Sequence, residues 1–184
     1  LDEYKNSLEY EKIEFLKGLW DGVGRSRLSM EKNRRNETTA VDVGIILTGQ
    51  EMATVDNALF SRVLFLSVSK TGFSDEERFR FKDLKETEGK GLTHITNRLM
   101  SKREKFKRRH VDAYNEAIAE VTPYINRSRT EDRTLKNWCL VLAALKIVME
   151  DEVLPFTYED AVKTFAKMIK RQNIDVVNSN EVTE

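Results

Sequence analysis

Two short apolar runs, Ile45-Ile46-Leu47 and Val63-Leu64-Phe65-Leu66, constrain this chain more than any other feature. Each is rich in β-forming residues and carries no charge on either face, as expected of a fully buried strand in a parallel sheet. The first ends on polar Thr48-Gly49-Gln50, and the second follows a polar segment whose last residue is Arg62. A buried strand tipped by a hydroxyl and an amide, followed by a short helix that delivers one guanidinium, suits the reading of a phosphate. The plainer alternative is a strand, a loop and a strand, with Arg62 merely solvated.

The flanking segments read as helices. Ser7 is placed to cap a helix carrying Leu8, Ile13, Leu16, Leu19 and Trp20 at helical spacing, and Gly22 falls where a glycine would stop it. Residues 21–37 then form a hairpin or irregular excursion rejoining the sheet near Val41. Its Arg25, Arg27, Lys32, Arg34 and Arg35 make it either a solvated loop or a basic finger for a nucleic-acid backbone. Beyond Leu66 the texture is helical. Ser74 with Glu77 forms a capping box. A long helix is expected from Thr93 to about Val121, with Ile95, Leu99, Phe106, Val111, Tyr114 and Ile118 on its buried stripe. Within it Lys102–Arg109 gathers six cations around one Phe, either a solvated face or a nucleic-acid contact through Lys105, Arg108 and Arg109. Pro123 ends that helix. Leu135–Met149 is the most apolar helix and the expected centre of a bundle. Thr157 with Asp160 caps the last helix, whose stripe is Ala161, Phe165, Met168 and Ile169, and the tail from Asn173 is expected to fray. The organisation predicted is a small α/β part over about residues 1–70, an all-helical part over 71–175 and a frayed tail, 176–184.

Charge and cysteine content narrow the function classes. The 31 basic residues balance 31 acidic ones, so nucleic-acid binding would have to come from local clusters. The single Cys139 excludes an intramolecular disulfide and a cysteine-rich metal site. His94 and His110 lack the spacing of a ligand pair. No apolar run approaches a membrane span, and there is no charged-then-apolar leader, so a cytoplasmic, reducing location is expected. The start at Leu1-Asp2-Glu3, without Met, suggests a piece of a longer chain.

The order of these residues resembles the second half of an AAA+-type or superfamily 3 helicase ATPase, in particular the helicase part of primase–helicases from phages and mobile elements. Leu1-Asp2-Glu3-Tyr4 matches the end of a Walker B strand. Residues 25–37 occupy the place of an excursion that often contacts DNA, Thr48 (with Gln50 as the alternative) matches a sensor, and Asp56-Asn57-Ala58-Leu59-Phe60-Ser61-Arg62 matches an arginine-finger motif. The resemblance covers about residues 1–68. It implies a remnant of a P-loop NTPase core with few parallel strands followed by a helical bundle, mostly α overall. It further implies Asp2 on Mg²⁺, Glu3 polarising the attacking water, Thr48 positioning that water and Arg62 serving the neighbouring subunit of a ring. Arg133, at a helix start, is a candidate second sensor. The departure is the lack of a Walker A loop. This chain alone is therefore expected neither to bind ATP tightly nor to hydrolyse it, with ATP and Mg²⁺ belonging to a longer parent. Single-stranded DNA is the expected partner. Exposed sheet edges would favour dimerisation or strand exchange between copies. The competing readings are a helical nucleic-acid-binding module without catalysis and an interaction protein without chemistry.

Overall fold

The structure, a computed structural model, describes residues 4–28, 36–41, 43–53, 56–68 and 72–181. Asp2, Glu3, Lys32, Arg34 and Arg35 lie outside the described residues, and Arg25 and Arg27 are described in backbone only. The chain is mostly helical. Its elements are α1 (Tyr10–Trp20), β1 (Val23–Leu28), β2 (Asn36–Ala40), α2 (Asn57–Phe60), α3 (Asp75–Gly89), α4 (Thr93–Ser101), α5 (Arg103–Val121), α6 (Asp132–Met149) and α7 (Tyr158–Glu181). Strands β1 and β2 pair antiparallel, from Val23 opposite Ala40 to Leu28 opposite Asn36, which is the hairpin alternative of the sequence. The Val41 N–H donating to Gly22 O at 3.1 Å closes its base. Gly22 supplies the φ of +71° that turns α1 into β1.

The chain divides into two compact units: residues 1–65 with 128–137 and 169–184, and residues 66–127 with 138–168. Segments 128–137 and 169–184, assigned by sequence to the helical part and the tail, thus belong with the first unit. In that unit Tyr4, Ile13, Leu16 and Leu59 form a buried cluster, with Leu8, Leu19, Leu47, Ala53 and Val63 packed on it. Phe60, Leu135 and Ile169 are also buried there, and Phe60 meets Phe65 edge-on at 5.6 Å. Burying each such side chain contributes about 1.5–3 kcal/mol.

The expectation of two parallel strands is not met. Ile45-Ile46-Leu47 and Val63–Leu66 lie in neither helix nor strand. Val43, Ile45 and Ile46 are 61%, 45% and 86% exposed. Apolar composition alone does not make a strand; the backbone also needs a neighbouring ladder. Around the second run, that role is taken by one side chain. Gln172 Nε2 donates to Phe60 O at 3.2 Å and Val63 O at 2.9 Å, and Gln172 Oε1 accepts from Phe65 N–H at 3.3 Å. Among the described residues one parallel contact is present: Tyr4 bridges Gly49, with Tyr4 N–H donating to Thr48 O at 2.6 Å.

Other helix expectations are partly revised. Ser7 does not cap α1, whose N-cap position is Glu9, without a side-chain hydrogen bond. The helix expected over 93–121 breaks at Lys102 into α4 and α5. Ile95, Leu99 and Val111 are exposed, and the buried stripe of α5 is Ala113, Ala117 and Val121. The capping box of Ser74 and Glu77 forms as expected, yet α3 has no buried residue. Thr157 and Asp160 exchange hydrogen bonds at the start of α7. That helix continues to Glu181 instead of fraying at Asn173. Asn173 is held there, its Oδ1 accepting from Glu131 N–H at 2.8 Å and its Nδ2 donating to Arg129 O at 2.6 Å. In the second unit Trp138 packs edge-on against Phe165 at 5.4 Å beside buried Cys139, Leu142, Ala143 and Ile147.

Candidate phosphate-reading site around Arg62

The motif Asp56–Arg62 is a capped single turn. Asp56, in extended conformation, accepts from Leu59 N–H at 2.7 Å and so caps α2. Lys17 of α1 reaches the same carboxylate at 3.0 Å and also pairs with Glu14. Partial burial pushes the Asp56 pKa up, but the Leu59 N–H and Lys17 outweigh it and hold the carboxyl below its ordinary value. Leu59 and Phe60 are buried, which fixes the turn to the core.

Ser61 and Arg62 then enter a closed set of polar contacts. Arg133 Nη1 donates to Ser61 Oγ at 2.9 Å, and Asn137 Nδ2 donates to Ser61 O at 3.2 Å. Arg133 and Asn137 are one turn apart on α6, so one helix face reads both the hydroxyl and the carbonyl of the same residue. Trp20 closes the set. Its Nε1–H donates to Asn137 Oδ1 at 3.3 Å, while the Arg133 and Arg62 guanidiniums stand 5.3 and 5.5 Å from its ring centroid. Each cation–π contact is worth about 0.5–2 kcal/mol, depending on desolvation. Arg62 also donates to Ala58 O at 2.9 Å and meets Asp21 at 3.5 Å. The two arginines that the sequence offered as nucleotide readers, Arg62 and Arg133, are thus brought together on one indole. Trp20, Asp21, Asn137 and Gln172 are the partners sequence reasoning missed. For Asn137 and Gln172 the available signal was a polar residue on the apolar stripe of a helix.

The strand-tip candidates lie at the parallel bridge. Thr48 and Gln50 are exposed on either side of Gly49. Gly49 is required for the approach, because a Cβ there would stand 2.6 Å from Tyr4 O. A cavity of about 250 Å³ lined by Tyr4, Lys5, Gln50 and Glu51 opens at this tip. Small-molecule sites typically measure about 300–1,000 Å³, so these residues do not by themselves enclose a nucleotide. The described residues hold no group of three or more His, Cys, Asp or Glu fit for a metal ion, and the candidate Mg²⁺ ligand Asp2 lies outside them.

The basic run on α5 is largely committed to intramolecular pairs. Lys105 meets Glu150 at 3.0 Å and Asp151 at 2.8 Å, Lys102 meets Asp151 at 2.9 Å and Glu152 at 2.8 Å, and Arg109 meets Glu150 at 3.0 Å. Arg98 of α4 joins them through Glu152 at 2.8 Å. Of the three α5 residues proposed for nucleic acid, only Arg108 is free of a carboxylate among the described residues, and it is exposed. No helix among the described residues is long and apolar enough to cross a membrane. Comparison with protein families, with curated proteins and with solved structures gave no match to this chain.

Proposed function

We propose that this chain is the second half of the ATPase core of a ring-forming, ATP-dependent DNA helicase or primase–helicase, joined to a helical domain. The observation that carries the reading is the parallel bridge between Tyr4 and Gly49. It sets the residue following Asp2-Glu3 beside the Thr48 tip, with Tyr4 N–H on Thr48 O at 2.6 Å. In open parallel sheets ligands bind beyond the carboxyl ends of adjacent strands, and a P-loop ATPase needs its acidic pair and its sensor side by side there. The capped turn that ends in Arg62 supplies the remaining part.

In this reading the bound nucleotide, with Mg²⁺, supplies the transferable phosphoryl group, and the residues of the chain divide the other tasks. Asp2 would hold the metal through water, Glu3 would draw the proton of the attacking water, and Thr48, or Gln50, would orient it. Arg62 would stabilise charge developing on a nucleotide held by the neighbouring copy, with Arg133 a second sensor. Arginine fingers are worth about 10³–10⁵ in turnover. The phosphate-cradling loop must come from a preceding segment of a longer parent, so the 184-residue chain is expected to show no ATP turnover of its own. Single-stranded DNA as partner and a cytoplasmic location belong to the same proposal. Its DNA contacts fall to Arg25, Arg27, Lys32, Arg34 and Arg35 more than to α5, whose Lys105 and Arg109 are already paired.

The test is ATP turnover by the longer protein with and without single-stranded DNA, wild type against Arg62→Ala. A loss of at least about 10³-fold in the variant is expected. Equal turnover in the two would remove Arg62 from the chemistry and the ring reading with it.

A further inference from the structure

The guanidinium of Arg62 is turned inward. Its three partners all belong to its own unit: Ala58 O at 2.9 Å, Asp21 Oδ2 at 3.5 Å and the Trp20 ring at 5.5 Å. The side chain is only 17% exposed, and its Nε is buried without an acceptor. A guanidinium that serves a phosphate on another copy must reach outward. Reaching outward would cost the side chain its contacts to Ala58 O, Asp21 and the Trp20 ring, because these hold it against its own unit.

We infer that Trp20 and Asp21 form a latch, a pair of positioning residues that holds Arg62 folded back until an anion competes for it. The inference rests on the finger reading of Arg62 and adds its regulation. The latch is built to be weak. Asp21 is 42% exposed and its contact, at 3.5 Å, is at the limit of a hydrogen bond, whereas a phosphate oxygen offers a shorter charge-assisted one. Arg133 shares the indole at 5.3 Å, so Arg62 sits beside a like charge while it is latched. When Arg62 leaves, Arg133 stays on Ser61 Oγ and on the ring, and the Asn137 contacts to Trp20 and Ser61 keep the seat in shape. Trp20 and Asp21 are consecutive, at the end of α1 and directly before the Gly22 turn into β1, so both halves of the latch move with one chain segment.

Two measurements test this. In the 184-residue chain, modification of Arg62 by phenylglyoxal is followed by mass spectrometry, with exposed Arg108 as the internal standard. Asp21→Asn and Trp20→Leu are expected to raise the Arg62 rate by about two- to fivefold, as befits loss of a weak ion pair or ring contact, while Asp21→Glu and Trp20→Phe stay near wild type. An unchanged rate in Asp21→Asn would overturn the latch. In the longer protein, Asp21→Asn is expected to raise kcat for ATP with KM unchanged, and Asp21→Glu to restore the wild-type value. An unchanged kcat, in a background where Arg62→Ala abolishes turnover, would overturn its regulatory role. If Arg62→Ala leaves turnover intact, the finger reading fails instead, and the labelling rates still decide whether the latch exists.

Discussion

Gln172 shows how one residue can replace a strand. It is 1% exposed, and its carboxamide satisfies the carbonyls of Phe60 and Val63 and the N–H of Phe65. Replacing it with Leu keeps the bulk but orphans those three backbone groups, and burial of unpaired polar groups costs about 1–3 kcal/mol each before relaxation. Gln172→Leu is therefore expected to lower stability by about 2–4 kcal/mol, read from the midpoint of urea unfolding; a change within about 0.5 kcal/mol, as for an ordinary surface site, would contradict the role. The motif Asp56–Arg62 was legible because capping and burial impose a local pattern on consecutive residues. Gln172 was legible only as a polar residue on the apolar stripe of its helix, since nothing local names the distant backbone groups it serves. Helical spacing placed Trp20 on α1 but gave no hint of its role: it is 46% exposed and serves as a platform for two guanidiniums.

Helices and the β1–β2 hairpin were largely legible as elements and the two parallel strands were not, because a helix or hairpin closes its hydrogen bonds locally while a parallel strand depends on a distant neighbour. Ser74 and Glu77 announce α3 locally, whereas nothing within Ile45-Ile46-Leu47 states whether a partner strand lies beside it. The remaining bridge is open to a direct test. Gly49→Ala would force the backbone away from Tyr4, with an expected cost of about 1–3 kcal/mol in denaturant unfolding; wild-type stability would deny the close approach. Within the second unit, the acidic residues Glu150, Asp151 and Glu152 that follow α6 meet the basic faces of α4 and α5. Hydrogen bonds from Lys105 and Lys102 bring the Asp151 pKa from its ordinary 3.8 down to about 2, and Glu150 and Glu152 are lowered by Lys105 with Arg109 and by Arg98 with Lys102. A carboxyl with a depressed folded-state pKa stabilises fully above its unfolded value and loses that contribution as pH falls through the folded one. For Asp151 the window runs from 3.8 to about 2. The wild-type Tm should fall more steeply across this window than that of Asp151→Asn, and salt should shrink the difference because Asp151 itself is exposed. Parallel Tm curves would show the pairs to be energetically idle.

At the scale of the whole molecule, sequence located a change of texture near residue 70 but not the return of 128–137 and 169–184 to the first unit. That return matters, because Arg133, Asn137 and Gln172, which hold the Arg62 turn, all come from those late segments. A core half ending near residue 70 would lack them. The proposed division of labour places Arg62 of one copy on the nucleotide of the next, and that claim is tested most directly by mixing two inactive forms of the longer protein, Arg62→Ala and Glu3→Gln. The account predicts that ATP turnover reappears in the mixture, since a Glu3→Gln subunit supplies the guanidinium that its Arg62→Ala neighbour lacks. A mixture as inactive as its components, while wild type alone turns over, would contradict a finger acting between copies.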